Sequence, residues 1–415
     1  MKIVHITKLS DGGASWCAMR ISHALTQQGI DSKMLLMQGT PNKNISIANI
    51  DWLYKEHKNI LIRLIMKMIR LILRPKFERL IFLRKKAAKN SNTFFTSPVT
   101  AYTNIINHPL IKEADIVHLH WVSDFIDFPS FFKKVNKPIV WTIHDENPGL
   151  GGFHYALHKD TASKEYLALD KEYETIKHKA VNGKNLPHLV AISQMMYSFF
   201  ENNKILKNCP ITLIHNGVDC NTFHPLDSFQ CRQELNISNT KKVFLFSSYQ
   251  IEDERKGLHI LIPALDTLKN NDIILICLGN YKAIPQSKYI EIKCAGMIKD
   301  TEILSKYYSA ADYFVLSSFQ EAFAQTPLEA MACGTPVIAF PCSGIPELIN
   351  KDNGVMCEDF TINALSKGIS QAISSIFDNE KIREDILTRF SYNVIAKQYI
   401  DLYQKILNDL PNEHH

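Results

Sequence analysis

The chain has 415 residues, 46% hydrophobic and 21% charged, which excludes a disordered or fibrous protein and leaves room for two domains of ordinary size. Nine cysteines, an odd number without a Cys-x-x-Cys pair, suit neither a zinc site nor a disulfide framework, so reduced thiols in a cytoplasmic compartment are expected. The net charge of +5 is uneven: residues 55–89 hold twelve Lys/Arg against two Glu, a net of +10, and the remainder carries −5, so any inference about an acidic partner belongs to that one segment.

The N-terminal "MKIVHITKLSDGG" reads as a strand and a turn, without the apolar region and small-residue cleavage site of a signal peptide. A helical pattern over 14–28 follows the Gly12–Gly13 turn, and apolar runs at 32–38, 114–121, 137–144 and 188–193 each lead into a polar turn or helix. The rhythm restarts at 241–248 and continues at 272–279, 312–318 and 335–340. Continuous apolar strands separated by helices predict parallel sheets covered on both faces. Two such series predict an α/β protein of two doubly wound, Rossmann-like domains, 1–225 and 226–392, joined near "NGVDCNTFHPLDSF". The last helical stretch, ending in a segment at about 393–412, is open to packing back on the first domain.

A basic amphipathic insert at about 52–90 breaks the rhythm. In "NILIRLIMKMIRLILRP" the cations fall at 63, 67, 70 and 74, one helical face, and Pro75 ends or kinks the helix. Charges recur too often for a transmembrane span. The face is either a solvated edge of a helix packed on its own domain or the polar side of a helix lying on an anionic membrane surface. The segment has few aromatics and no recognition motif, so nucleic acid is not expected.

Several residues are candidates for chemistry. Thr326-Pro327-Leu328-Glu329 fits a capping box at a helix start, with Pro327 at the first helical position and Gly334 past the end. Capping leaves Glu321 and "AFAQ" unexplained, and a helix start at the carboxyl end of a parallel strand is equally an anion site. Gly12 and Gly13 would make a second amide-lined turn. Arg255 and Lys256 in "DERKGLH" stand at a helix start, where cations can neutralise a diphosphate. His144 ends a strand beside Asp145.

The Glu, seven residues, Glu spacing within "SSFQEAFAQTPLEAMACGTPVIAFPCSGIPELI" resembles the signature of retaining glycosyltransferases of family 4, with the GT-B fold. "SDGGASWCAMRISHAL", "IVHLHW", "WTIHDENPGLGGFHY", "IHNGVDCNTFHP" and "RKG" resemble that family in the expected order, over nearly the whole chain outside 45–100. The resemblance implies two domains facing across a cleft, with a nucleotide-diphosphate sugar mainly on the second. It implies that Glu329 chelates the ribose hydroxyls and that Phe323, Ala324, Gln325 and Thr326 meet the sugar and diphosphate. Glu321 would contact the transferred sugar, and Arg255 and Lys256 the diphosphate. Gly13 with Gly12 would supply the amide turn of the first domain, and His144 would stand near the anomeric centre and acceptor. Met297 and Ile298 would pack the base. Two departures stand out: Ser247-Ser248 replaces a Gly-Arg common in relatives, and Ala324 replaces a glycine.

No Asp-x-Asp occurs, so neither a metal bound by that motif nor a further cofactor is expected, and no side chain is an obvious nucleophile or general base. The expected activity is hexosyl transfer to a glycan or lipid-linked acceptor in envelope polysaccharide synthesis, at the inner face of the plasma membrane. The alternatives are a nucleotide-sugar epimerase of the same fold or a non-catalytic, membrane-docked scaffold; no lysine motif for a phosphorylase is recognisable.

Overall fold

Apolar strands of the kind found here are stable only with both faces covered, and the architecture follows from that requirement. The computed structural model describes residues 1–9, 12–55, 59–89, 93–183 and 185–410. Ser10 and Asp11 before the glycine turn, Glu56 and Lys58 of the basic segment, and residues 411–412 expected in the last helix lie outside the described residues.

The chain divides into two compact units, Met1–Ile214 with Ala396–His415, and His215–Ile395. The first is built on seven strands, β1 (Lys2–Thr7), β2 (Asp31–Leu36), β3 (Ile45–Ile47), β4 (Ile116–Leu119), β5 (Ile139–Ile143), β6 (His188–Ala191) and β7 (Ile211–Leu213). Their order is β3-β2-β1-β4-β5-β6-β7, and every pairing is parallel. The second unit has β8 (Lys242–Gln250), β9 (Ile273–Asn280), β10 (Glu291–Gly296), β11 (Tyr313–Leu316), β12 (Val337–Ala339) and β13 (Gly354–Met356), in the all-parallel order β10-β9-β8-β11-β12-β13. Each sheet carries its own apolar core. Ile6, Leu119, Trp141 and Leu189 belong to the first, and Phe244, Leu275, Val315 and Ile338 to the second.

The sequence places the join at 225/226, and the structure divides at 214/215. The Arg383 guanidinium, on the helix Asn379–Phe390, donates to the carbonyls of Cys220 (2.9 Å), Phe223 (3.0 Å) and Ala332 (2.6 Å). Residues 215–225 are thereby tied to the second unit. The final stretch is two helices, Asn379–Phe390 and Tyr392–Asn408, and the latter returns to the first unit from Ala396. Its Tyr399 and Tyr403, both fully buried, bond Thr142 at 2.9 Å and His118 at 2.7 Å.

The insert is also two helices, Ile60–Leu73 and Pro75–Ala88, with Pro75 at the start of the second. Phe77, Leu80 and Ala87 pack with Tyr166, Leu169 and Tyr173 of the helix Lys164–Val181. The basic face is not a solvated edge along its length. Arg70 pairs with Glu78 at 2.8 Å, and Arg74 reaches Asp127 at 2.8 Å and the Thr100 carbonyl at 2.9 Å. Arg84 pairs with Asp124 at 2.6 Å, and Arg79 with Glu172. What faces solvent on Ile60–Leu73 is largely apolar, with Arg63 and Lys67: Leu61, Ile65, Met68 and Ile72 are 58–74% exposed, and among its described side chains only Met66 is buried.

Gly257 is a backbone position on which the second unit's site geometry depends. It has φ +74°, and a Cβ there would stand 2.0 Å from the Ser317 carbonyl oxygen. Gly257→Ala is expected to cost about 3 kcal/mol from the left-handed backbone and the clash. That corresponds to a fall of roughly 6–12 °C in melting midpoint; an unchanged thermal melt would refute the close approach.

Candidate active site

The site residues are built from the carboxyl ends of strands. In the second unit, Asp253 caps the short turn Glu254–Lys256 by accepting from the Arg255 amide at 3.0 Å. Gly257 then opens the helix Leu258–Asp266. The end of β11 clamps this turn: Ser317 Oγ donates to the Lys256 carbonyl at 3.0 Å, and the Phe319 amide to the Arg255 carbonyl at 2.8 Å. Lys256 Nζ is thus delivered to Glu321 Oε1, an ion pair whose side chains are 26% and 16% exposed. Arg255 is turned elsewhere. Its guanidinium forks onto Asp253 at 3.2 and 2.7 Å, in an exposed position.

The helix after Glu321 corrects the capping reading. It runs Gln325–Ala332, with extended Ala324 as N-cap and no side-chain cap bond. Thr326 is its second residue and Pro327 its third, so Thr326 does not cap and Glu329 closes no capping box. Proline is tolerated there because the first amides of a helix have no intrahelical acceptor. The start is left as uncapped amides, a natural anion site. Glu329 is buried inside the helix, and its Oε2 accepts from Tyr308 OH at 2.8 Å. Phe323 and Ala324 are buried, and the Phe323 carbonyl accepts from Asn216 Nδ2 at 3.2 Å. Met297 and Ile298 lie half-buried just past β10, after Gly296 at φ +77°.

Sequence reasoning missed Tyr308, which orients Glu329, and Ser317, which positions Lys256. Asn216 stands in "IHNGVDCNTFHP", where no role was assigned to it. Nothing in the sequence ties Tyr308 to a site, since its helix, Thr301–Ala310, reads as ordinary packing.

Cys342 is the thiol beside Glu321. Burial, with Glu321 adding and Lys256 opposing, pushes it up to about 12. A thiol held protonated is no nucleophile.

In the first unit, Gly12 at φ +89° is the N-cap of the helix Gly13–Gln27, again without a side-chain cap. Gly12 and Gly13 are exposed, and a Cβ on either would meet nothing within 4 Å. His144 follows β5 and meets His120 Nδ1 through Nε2 at 3.1 Å. Asp145 accepts from Trp121 Nε1 at 2.9 Å, His154 Nδ1 at 2.6 Å and the Asn147 amide at 3.0 Å. Burial alone would raise its carboxyl, but the charge and hydrogen bond of His154, with the bonds from Trp121 and Asn147, hold it below the ordinary range. The next turns are fixed by buried polar groups. Asp170 Oδ1 accepts from the Gly152 amide at 2.6 Å, and Lys177 donates to the carbonyls of Asn147 (2.5 Å) and Leu150 (2.8 Å). A Cβ at Gly151 would stand 2.0 Å from the Asp170 carbonyl, so "PGLGG" is a packing requirement.

A carboxylate–cation pair, uncapped helix amides and a second buried carboxylate on one strand-end surface suit a phosphate-bearing, hydroxyl-rich ligand. The two parallel Rossmann-like domains are those of a GT-B glycosyltransferase: HepE of Anabaena, solved in complex with UDP-glucose, superposes with a TM-score of 0.63 at 17% identity, over 98% of this chain and 100% of that one. Glycosyltransferase Family 4 matches residues 11–222, and Glycosyl transferases group 1 matches 227–387; the chain belongs to glycosyltransferase family 4. It is 24% identical over 323 residues to an uncharacterized glycosyltransferase of Methanocaldococcus jannaschii, covering 71% of this chain and 76% of that protein. It is also 24% identical over 336 residues to the lipopolysaccharide 1,2-N-acetylglucosaminetransferase of Salmonella typhimurium, covering 70% and 86%.

Three buried imidazoles of the first unit and the half-buried His144 make a pH prediction. Burial lowers His5 to about 3 and His144 to about 4, and holds His118 and His120 well below 6.5. Between about 4 and 6.5 the unfolded chain therefore binds more protons, so stability falls as pH drops through that window. Asp145, depressed in the folded state, adds its loss only below its unfolded value near 3.8. Urea unfolding at pH 6.5 and 5 is expected to show a loss of up to about 2 kcal/mol per histidine. Equal stability at both values would contradict a neutral cluster.

Proposed function

We propose that the protein is a retaining glycosyltransferase that moves a hexose-type sugar from a nucleotide-diphosphate sugar to a glycan or lipid-linked acceptor, in cell-envelope polysaccharide synthesis such as O-antigen, capsule or exopolysaccharide. The observation that carries this reading is the Lys256–Glu321 pair set beside the uncapped helix start at Gln325. Lys256 pairs with Glu321. A diphosphate is a better partner for the ammonium, so its arrival draws Lys256 to the leaving group and frees Glu321 for hydroxyls of the transferred sugar. The amides of Gln325 and Thr326 receive phosphate oxygens, and Phe323 and Ala324 wall the sugar. Glu329, held by Tyr308, takes the ribose hydroxyls, and Met297 and Ile298 pack the base. Arg255 supplies a second cation once released from Asp253. From the first unit the reading assigns Gly12 and Gly13 an amide turn and His144 a place near the anomeric centre.

The leaving diphosphate is neutralised by side chains, so a metal-independent reaction without a further cofactor is proposed. The departing phosphate takes the acceptor's proton, in keeping with the lack of a candidate nucleophile. The UDP-glucose held by HepE supports a nucleotide-sugar donor and makes UDP the first probe. The Salmonella relative, named for lipopolysaccharide, supports an envelope acceptor.

Calorimetric titration tests the site. Glu329→Gln keeps an acceptor for Tyr308 but loses the charge, which is worth about 2–3 kcal/mol at a charged hydrogen bond. UDP or UDP-sugar affinity should drop roughly 30- to 150-fold. Undiminished binding by the variant, or no binding of any uridine, guanosine or adenosine diphosphate by the wild type, would remove the assignment.

We further propose cytoplasmic placement at the inner face of the plasma membrane. Among the described residues no helix is long and apolar enough to cross a membrane. The outward apolar face of Ile60–Leu73, with Arg63 and Lys67 exposed beside it, suits a helix lying in an anionic interface. The double variant Ile65→Asp/Ile72→Asp should lose cosedimentation with anionic vesicles while keeping its melting midpoint. Cosedimentation equal to wild type would end that reading.

A further inference from the structure

His5 and His118, paired in register within β1 and β4, and His120 and His144, just past β4 and β5, lie ring to ring, and the proposed reaction uses only the last. Their hydrogen bonds separate them into two sets. His118 is occupied by hydroxyls, Nε2 with Thr142 Oγ1 at 2.8 Å and Nδ1 with Tyr403 OH at 2.7 Å. The other three form a line: His5 Nδ1 to His120 Nε2 at 2.8 Å, then His120 Nδ1 to His144 Nε2 at 3.1 Å. His5, His118 and His120 place one nitrogen each within 4.8 Å of one another, a spacing that a metal ion would accept. Yet both nitrogens of His118 and both of His120 are already hydrogen-bonded, so no set of free lone pairs converges there.

A neutral imidazole has one N–H and one lone pair, so a line of three has only two polarities. In one, His5 and His120 each donate forward, and His144 receives at Nε2 and carries its proton on Nδ1. In the other, every bond reverses, and His5 keeps a buried Nε2–H. His5 is fully buried and its Nε2 has no hydrogen-bond partner. A buried N–H without an acceptor is the rarer defect, which selects the first polarity. With no group to feed a proton in at His5, the line cannot run as a relay.

We propose that the His5–His120–His144 line is a one-way tautomer lock that holds the proton of His144 on Nδ1 and makes His144 a neutral hydrogen-bond donor instead of a base. The inference rests on the reading of His144 as a substrate-facing residue; His5 and His120 are then positioning residues. Burial keeps the line neutral at pH 7, since His5 and His144 are lowered to about 3 and about 4. A donor at this place suits a reaction in which the leaving phosphate accepts the proton: His144 bonds an oxygen and competes for no proton.

Long-range proton–nitrogen correlation spectra of the full chain, labelled with nitrogen-15 histidine at pH 7, read the tautomer directly, and His144→Gln identifies the His144 signals. The expected result is a single Nδ1–H tautomer for His144. It should persist in His120→Asn, whose amide N–H stands where Nδ1 was, and give way to a mixture in His120→Leu and His5→Leu. An Nε2–H or mixed tautomer in the wild type, or an unchanged His144 in both leucine variants, overturns the lock. So does equimolar Zn²⁺ that shifts the His5 and His120 signals together, which would make the cluster a metal site. The wild-type spectrum decides even where a leucine variant does not fold. Because no substrate is involved, failure here is distinct from failure of nucleotide binding at Glu329.

Discussion

Ser317, the first residue past β11, holds the turn that carries Lys256. Its hydroxyl bonds the Lys256 carbonyl, and its own carbonyl fills the place where a side chain at 257 would begin. Only glycine, in a left-handed conformation, allows the turn to approach the strand end that closely. The Phe319 amide adds a second tie to the Arg255 carbonyl. Two segments more than sixty residues apart in sequence are locked at van der Waals distance, and Lys256 meets Glu321 as a result. The ion pair is a consequence of the backbone clamp. A pair this accessible would not by itself define the geometry.

The first unit fixes its own strand end by a different means. The turns after His144 are held by buried charge and amide groups, Asp145, Asp170 and Lys177, each with several hydrogen bonds. Burial lowers the Lys177 ammonium to about 7, opposed by Asp145, Asp170, Glu174 and Asp124. Such a network is costly if any member is lost, because the rest would be left buried and unpaired. The glycines of this loop let its backbone lie against Asp170 and Phe95. One unit therefore places its candidate residues by close backbone approach and the other by a saturated polar network.

Much of this is legible in the sequence, and the omissions have physical causes. The nine apolar runs are strands, whereas β3, β7, β10 and β13 were not read. Those four are the edges of the two sheets. An edge strand is covered less completely and can be short, so "ISI", "ITL" and "GVM" lack the apolar run that marks a central strand. Charge pattern misled for a related reason. The spacing of Arg63, Lys67, Arg70 and Arg74 correctly gives one helical face but cannot tell which way it points. Glu78 and Asp127, eight and fifty-three residues from their partners, turn two of those cations inward. Tyr308 was illegible because its link to Glu329 exists only once two helices pack.

The helix after "EAFAQ" shows how a small shift of register changes what a residue is free to do. With Thr326 as N-cap, Glu329 would be the third helical residue, its carboxylate returned to the cap amide. The helix instead begins at Gln325, because Ala324 is extended and its amide neighbours need no side-chain oxygen to start the turn. Glu329 then falls in the fifth position, facing the interior, where Tyr308 donates to one of its oxygens. The helix start has no side-chain cap, and the carboxylate is released from local duty. Both changes favour a ligand over a purely structural start, since amides with no side-chain cap suit a phosphate and a buried carboxylate oriented by Tyr308 suits hydroxyls.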